Sequence, residues 1–384
     1  MQRAAEKIAR LCAQPRDLVS LWREAAEVLA GAVPHWWTPC WYTLDPASLL
    51  MTSHFHEGLG EFPGHWLASE YYDEDVNQIA DVVRSASGIS TLHEATGGRP
   101  SSSARWHRNM TMGGDQELIA RLRTRSGQVW GALGLYRAPG EPVFSEQEKA
   151  FIQATGPVLA DGVRCALLIG QAAEPEFSDS PGLIILDDSW DIESATPGAQ
   201  RWLAELPEGD PGAGRLPSSV ITLAARALRL AQHPDRGGEI AVSRVRTRAG
   251  TWVVLHGACL TSTGAPRIAV IIEPAHPSRI YPLLMSVYGL TEREKDVTRL
   301  VLQGASTSQI AAELVVSEHT VQQHLKSIFG KTGVHSRRDL VGKIFFAHYS
   351  PRFRDNESRA VDHKPLRGGP WPARDAGSAA HDAG

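Results

Sequence analysis

From Asp17 to Ala32 the apolar residues Leu18, Leu21, Trp22, Ala25, Val28 and Leu29 fall at helical spacing on one face, until Pro34 stops the helix. An aromatic stretch follows through Trp36, Trp37, Trp41 and Tyr42 to Leu49, Met51 and Phe55; its partial alternation, cut by Pro39, Pro46, Gly58 and Gly60, predicts two short strands. Helical spacing returns over Tyr72 to Ser85 through Val76, Ile79, Ala80 and Val83, and Thr96 to Ser103 reads as a turn-rich loop. Leu118, Ala120 and Leu122 alternate with Arg121 and Arg123, turn at Ser126-Gly127, and return as the apolar run Val129 to Tyr136, which is a β-hairpin over Glu117 to Arg137. Ser145 with Glu148 forms a capping box for a helix carrying Phe151, Ile152, Val158, Leu159 and Val163 toward Leu168, with Gly156-Pro157 as an irregularity.

The acidic, proline-bearing stretch Ala172 to Gly182 suits a linker. Beyond it, the pattern predicts a strand over Leu183 to Leu186, a turn at Asp187 to Ser189, helices over Pro197 to Leu206 and Val220 to Ala231, and three strands over Val242 to Thr247, Thr251 to Leu260 and Arg267 to Ile272. Pro274 to Pro282 reads as a second linker. After Tyr349 the chain is rich in Arg, Asp, Gly, Pro and Ala and lacks the apolar residues for a core, so disorder is expected. The organisation expected is therefore two α+β domains, 1–171 and 183–273, an all-α domain at 283–349, and a disordered tail at 350–384.

Composition narrows the function classes. A formal net charge of -4 over 384 residues confines any nucleic-acid contact to a local surface, because neutralising phosphates needs basic residues in excess where contact is made. Cys12, Cys40, Cys165 and Cys259 are scattered singly, which suggests neither a zinc site nor a disulfide framework and fits free thiols in a reducing compartment. The N-terminus mixes charge with apolar residues and has no apolar h-region, and no run is long enough to span a bilayer, so a cytoplasmic protein without membrane contact is expected.

From Leu290 the pattern becomes specific. Thr291 and Glu294 form a capping box stapled by Leu290, and Val297, Leu300 and Val301 line a helix up to Gly304. Ser306 or Thr307 caps a second, shorter helix that buries Ile310, Ala311 and Leu314. After a tight turn over Val315 to Ser317, Ser317 caps a third whose inner face is Val321, Leu325 and Ile328. Two short helices joined by a tight turn are helix-turn-helix grammar. The outer stripe of the third helix shows Glu318, His319, Gln322, Gln323, Lys326 and Ser327, with Lys331 just past its expected end. Gln can pair with adenine through two hydrogen bonds, and Lys can reach guanine or a phosphate. Over Leu283 to Tyr349, Arg293, Lys295, Arg299, Lys326, Lys331, Arg337, Arg338 and Lys343 only slightly outnumber Glu292, Glu294, Asp296, Glu313, Glu318 and Asp339, so affinity should depend on dimerisation and on where each charge sits.

Leu290-Thr291, Arg293-Glu294, Leu300, Gly304, Ile310-Ala311, Leu314, Ser317, Thr320-Val321, His324, Ile328, Lys331, Val334, Arg337 and Leu340 match, without gaps, the LuxR/FixJ-type helix-turn-helix, which this segment resembles. The resemblance implies a four-helix domain that binds double-stranded DNA at a pseudo-palindromic promoter site as a homodimer. It implies base contacts from Gln322, Gln323 and Lys326, and phosphate contacts from Thr307, Thr320, Lys331 and Arg337. Thr332 departs from the usual Leu, which implies looser packing of the last helix, Arg338 to Phe346. By the same resemblance that helix forms the dimer seam through Leu340, Val341 and Ile344, and RNA polymerase is a further candidate partner.

In front of this segment the order of elements offers no first strand with an acidic pair, as a phosphoacceptor domain would need, and no GxxxxGK[ST] for ATP. Helix, strands, helix, hairpin and closing helix, with Val129 to Tyr136, resemble a GAF domain, while Leu183 to Asp187, Trp202-Leu203 and Arg246 to Ile272 resemble a PAS-like fold. Phe62-Pro63, Trp66, Tyr71-Tyr72 and Asp75 are similar to the aromatic cluster of acyl-homoserine-lactone sensors, with different spacing and no Pro after the Asp. His54 and His56 could be two ligands on one strand face, but spacing places no third, so no metal site is expected. Trp36, Trp37, Trp41, Trp66, Trp106 and Trp130 read as core, with a pocket for a planar ligand as the other reading, and Arg105 to Arg108 as a solvated loop, with an anion site as the other reading. No nucleophile, base and orienter occur together, so no enzyme and no cofactor are expected, although a small ligand could act as effector. The reading is a sequence-specific DNA-binding transcriptional regulator. A protein-interaction scaffold and a lactone-type quorum sensor stay open as alternatives.

Overall fold

Ten strands form two five-stranded antiparallel sheets among the described residues of the computed structural model. These are all residues except 15, 59–61, 168–180, 211–213, 234–240, 261–264, 276–287, 303–304, 338 and 341–384. Both expected linkers lie wholly or partly outside the described residues, as do Leu168, Gly304 and the expected tail. Contacts divide the chain into two units, Met1–Ala275 with Ile280–Lys295, and His276–Arg279 with Asp296–Gly384.

Sheet A is built from β1 (Cys40–Leu44), β2 (Met51–Phe55), β3 (Ile89–Thr91), β4 (Gln116–Arg123) and β5 (Val129–Arg137), in the order β2-β1-β5-β4-β3. Its outer face is covered by α1 (Gln2–Ala13), α2 (Leu18–Ala32) and a later helix α7 (Glu146–Ala166), which bury Ile8, Leu21, Trp22, Leu29, Ile152, Leu159 and Val163 against Trp41, Leu118, Leu122, Trp130 and Leu133. The caps follow the sequence: Asp17 accepts from Ser20 N at 2.9 Å, and Ser145 with Glu148 makes the expected capping box. Pro157 is accommodated within a continuous α7. Opposite Leu122 and Arg123, the register jumps from Gly131 to Val129 and leaves Trp130 unpaired. A bulge reverses the side-chain alternation, and so Trp130 joins the helix-covered face while Val129 joins the other.

The inner face of sheet A carries α3 (Gly64–Tyr72), α4 (Ile79–Arg84), α5 (Leu92–Ala95), the 3-10 turn Pro100–Ser102 and α6 (Ala104–Thr111). The single helix expected over Tyr72 to Ser85 is corrected: α3 ends at Tyr72, residues 73–78 are not helical, and only α4 lies within that range. Asn77 adopts φ +59, Glu70 Oε2 accepts from Ile79 N at 3.0 Å, and Gln78 Nε2 donates to the carbonyls of Ser69 and Asp73, so side chains satisfy the backbone that the break exposes.

Sheet B consists of β6 (Gly182–Leu186), β7 (Ile192–Ala195), β8 (Ala241–Arg246), β9 (Trp252–Leu260) and β10 (Arg267–Pro274), ordered β7-β6-β10-β9-β8. Counted within its own segment this is the same strand order as in sheet A. Strand β7 has no buried residue and hence no alternation for the sequence to display. One face of sheet B packs on α8 (Pro197–Glu205) and α9 (Ser218–Gln232), and α9 also packs on α3 and β2. Ile119, Tyr42 and Leu67 of the first sheet's side thus share one apolar cluster with Leu223, Val253, Leu255 and Val270 of the second. The two expected α+β segments form one unit with a common core.

The C-terminal helices are α10 (Glu292–Leu302), which crosses the division between the units, α11 (Thr307–Leu314) and α12 (Glu318–Thr332). Val297, Leu300, Val301, Ile310, Val321, Leu325 and Ile328 are all buried, and α11 packs on α12.

Candidate nucleic-acid interface and ligand cavity

Each helix of the C-terminal segment begins on a side-chain cap. Thr291 Oγ1 accepts from Glu294 N, and Glu294 Oε2 accepts from Thr291 N at 2.7 Å. Ser306 caps α11 in a box with Gln309, so Thr307 is the first helical residue rather than the cap. Ser317 accepts from Thr320 N at 3.1 Å and starts α12. The turn between α11 and α12 is closed by Val316 N donating to Ala311 O at 3.0 Å, with Val315 in the left-handed region at φ 53.

Gln322, Gln323 and Lys326 are exposed together on α12. Gln322 Nε2 donates to Thr307 Oγ1 at 3.4 Å, and the Gln323 amide lies 3.0 Å from His319 Nε2, contacts that hold both amides along the helix face. Thr320 is half-buried at the helix start. Lys331 is exposed in the last turn, inside the helix and not past it, because Gly333 in the left-handed conformation (φ 64) makes the C-cap. Arg337 is half-buried and donates from Nη1 to Ala305 O at 2.9 Å, while its Nη2 is buried with no partner among the described residues. Thr332 is buried and donates to Ile328 O at 2.7 Å. Of the three seam residues, Leu340 is wholly buried, and Val341 and Ile344 lie outside the described residues.

A second constellation sits on the inner face of sheet A. A cavity of about 50 Å³, open to solvent on one side, is walled by Trp37, Tyr42, Phe62, Trp66 and Tyr136 and floored by Glu70, Arg105 and Glu117. Arg105 is corrected from the expected solvated loop: it stands on α6, which Ser103 caps, and its guanidinium bridges the carboxylates of Glu70 and Glu117, the latter from Nε at 2.5 Å. The two carboxylates hold the guanidinium pKa well above its usual value against the opposing effect of burial. Burial, reinforced by neighbouring acidic groups, raises the pKa values of the Tyr42 and Tyr136 phenols well above the usual value, so both remain neutral hydrogen-bonding groups. Asn77 Nδ2 also donates to Glu117, at 2.8 Å.

The tryptophans divide. Trp41 and Trp130 are core, Trp37 and Trp66 line the cavity, Trp106 donates to Asp115 Oδ1 at 2.9 Å, and Trp36 is 53 % exposed. His54 stacks on Phe62 and His56 lies tilted against it, and among the described residues no group of three His, Cys, Asp or Glu side chains could hold a metal ion.

Comparison with known proteins places these elements. The family described as bacterial regulatory proteins, luxR family, matches residues 288–343. The response regulator protein TmoT of Ectopseudomonas mendocina is 30% identical over 252 residues, which cover 63% of this chain and 92% of that protein. The chain belongs to the LuxR family. A putative HTH-type transcriptional regulator of Mycobacterium tuberculosis, Rv0890c, is 50% identical over 52 residues, 14% of this chain and only 6% of that longer protein. Among solved structures, Escherichia coli SdiA is 11% identical with a TM-score of 0.29, covering 89% of this chain and 95% of that one. The Vibrio cholerae VqmA dimer, from a study of LuxR-type receptors, is 15% identical with a TM-score of 0.20, covering 44% and 82%.

As a LuxR-family member the chain is a DNA-binding transcriptional regulator, of a class defined by DNA binding rather than by catalysis. Among the described residues no helix is long and apolar enough to cross a membrane. The cavity floor is what the sequence reading missed. Its signal was present: behind the Ser103 cap, Arg105, Arg108, Asn109 and Met112 recur at helical spacing, and all four line the cavity.

Proposed function

We propose that this LuxR-type regulator works in the cytoplasm as a homodimer that reads a pseudo-palindromic promoter site and acts on RNA polymerase there, under the control of a small ligand held on sheet A. The observation that carries the DNA half is the exposed row Gln322, Gln323 and Lys326 on a helix capped at both ends. In this reading those three contact bases, Thr307, Thr320 and Lys331 contact phosphates, and Arg337 joins them by exchanging its bond to Ala305 O for one to DNA. Dimerisation through Leu340, Val341 and Ile344 compensates for the small excess of positive charge.

The shared strand order of the two sheets, each with helices packed on it, supports reading 1–171 as GAF-like and 183–273 as PAS-like. The ring-lined cavity with its buried polar floor supports ligand control. Phe62 and Trp66 face that cavity as a lactone sensor would require, but Asp75 is occupied in accepting from Arg105 N at 2.7 Å and Ser103 Oγ at 2.8 Å.

The test is selection of binding sites from a random duplex pool, followed by gel shifts across a salt series. Lys331→Ala should weaken every sequence alike and lower the salt slope by about 1, whereas Gln322→Ala should relax preference at one base pair by about 1–3 kcal/mol. Unchanged binding in both variants rejects α12 as the reading helix. Filling the cavity with Met112→Phe should shift operator affinity if ligand control is right; an unchanged affinity with an unchanged fold rejects it.

A further inference from the structure

We infer that an open groove, formed where β4 runs past the end of β3, binds the phosphate group of a small hydroxylated phosphate ester. The groove has a volume of about 320 Å³. It is lined by Ser87 and Gly88 of the loop before β3, by Arg121, Arg123 and Arg125 of β4 and its hairpin turn, and by Gln153 of α7. None of these residues lines the cavity of Glu70 and Arg105, so the inference does not rest on the ligand-control reading.

Charge carries the argument. Three guanidinium groups line the groove, and no Asp or Glu does. Arg105, Arg137 and Arg244 are each held by a carboxylate, whereas neutral carbonyls hold Arg121 and Arg123. Arg121 Nη1 donates to Val83 O at 3.0 Å and to Ser85 O at 2.9 Å, and Arg123 Nε donates to Gly127 O at 3.0 Å. Arg125 is exposed and makes no hydrogen bond or ion pair among the described residues. The positive charge of the groove is therefore not compensated by its own walls; burial, and secondarily Arg123, lowers the Arg121 pKa. A dianionic phosphate relieves that repulsion.

The donors are also placed for phosphate. Arg121 and Arg123 stand two residues apart on one face of β4, roughly 7 Å along the strand. Their carbonyl bonds position both groups and leave Arg121 Nε and Nη2, and Arg123 Nη1 and Nη2, without a partner among the described residues. Paired N–H groups of this kind match two phosphate oxygens. Gly88, at φ 63, makes room for the first of them, since a Cβ there would lie 2.6 Å from Arg121 Nε. Gln153 Nε2 donates to Ser87 O at 3.1 Å, so Gln153 Oε1 remains to accept from a ligand hydroxyl. A groove of this volume suits a small ester rather than the rigid backbone of a duplex.

The test is calorimetric titration of the full chain, at constant ionic strength, with glycerol 3-phosphate, inorganic phosphate and glycerol. Glycerol 3-phosphate should bind saturably and more tightly than inorganic phosphate, and glycerol should not bind. Arg123→Gln combined with Arg125→Gln, both at exposed positions, should weaken the ester about tenfold or more through lost hydrogen bonds to charged groups. Inorganic phosphate binding as tightly as the ester overturns the ester as occupant and leaves a site for free phosphate. Absence of saturable phosphate binding to the unaltered chain, or ester binding unchanged in the double variant, overturns the site itself. A double variant that binds random duplex more weakly, in a chain that binds neither phosphate compound, makes the groove a DNA-backbone surface and rejects the inference.

Discussion

Asp45, at the end of β1 in sheet A, and Arg244, in β8 of sheet B, are joined by a wholly buried carboxylate. It accepts from Arg244 Nη2 at 3.0 Å, from Nε at 3.3 Å and from the backbone N at 3.2 Å. Asp45 also accepts from Ala47 N and Ser48 Oγ, so one side chain shapes the β1–β2 turn and fastens the second sheet to the first. Removing one partner of such a pair leaves a charge with reduced access to water. Asp45→Ala should therefore lower unfolding stability by about 3–5 kcal/mol in urea denaturation, and Asp45→Ala combined with Arg244→Met should recover part of it. Because the sheets share a core, the wild-type N-terminal unit should unfold in one transition. Two well-separated transitions, with the loss confined to neither sheet, would contradict the shared core.

Acid should loosen the same seam at a different place. His56 has its pKa lowered from 6.5 to about 4, chiefly by burial and secondarily by His54, against the opposing pull of Glu208. Between about pH 6.5 and 4 the unfolded chain takes up a proton that the folded chain refuses, so stability falls as pH drops through that window. Asp17, Glu94 and Glu148, whose pKa values are lowered by hydrogen bonds and ion pairs against burial, add their losses further down, in the carboxylate range. His56→Gln should flatten the decline above pH 4 and leave the lower part in place, as read by denaturation midpoints across a pH series. An unaltered slope would show that His56 does not carry it.

Legibility in the sequence follows how local each interaction is. The caps at Ser145, Thr291 and Ser317 and the hairpin turn at Ser126-Gly127 are decided within a few residues, and they are readable. The exposed edge strand Ile192–Ala195 carries no alternation, and the break at Asn77 depends on Glu70 and Gln78 reaching across the gap. Helix α1 carries its signal in the sequence, since Ala4, Ala5, Ile8, Leu11 and Cys12 recur at helical spacing and all pack on the core. The floor of the cavity is hardest to see, since Glu70, Arg105 and Glu117 belong to three elements and meet only when sheet and helices are assembled. On α12 the exposed residues Gln322, Gln323 and Lys326 are visible from spacing alone, whereas the position of Lys331 depends on recognising Gly333 as the C-cap.

The turn of the helix-turn-helix stores removable strain. Val315 is 89% exposed and β-branched, yet sits at φ 53, a conformation that costs an L-residue roughly 1–2 kcal/mol and costs glycine almost nothing. Little packing is lost on removing so exposed a side chain. Val315→Gly should stabilise the α11–α12 pair by about 0.5–1 kcal/mol after allowing for glycine's freer unfolded state, seen as a few-fold slower amide exchange in both helices. Val315→Ile keeps the strain and should show no gain. Faster exchange in the glycine variant would refute the strain argument.

Two glycines separate steric need from mere tolerance. A Cβ on Gly131 would lie 2.4 Å from the Tyr42 carbonyl oxygen, where β5 passes β1 beside the Trp130 bulge. The atom in the way is backbone, so relief requires moving the central strands of sheet A, and with them the alternation that sends Trp130 outward and Tyr42 into the cavity. A Cβ on Gly31, in α2, would meet nothing within 4 Å, and the residue has an ordinary helical φ. Gly31→Ala should then raise stability by about 0.5–1 kcal/mol through helix propensity, while Gly131→Ala should lower it by about 1–3 kcal/mol or more. Thermal melting of the two variants side by side measures the difference. A Gly131→Ala protein as stable as wild type would mean that the bulge, rather than the close approach of β1 and β5, sets the position of Trp130.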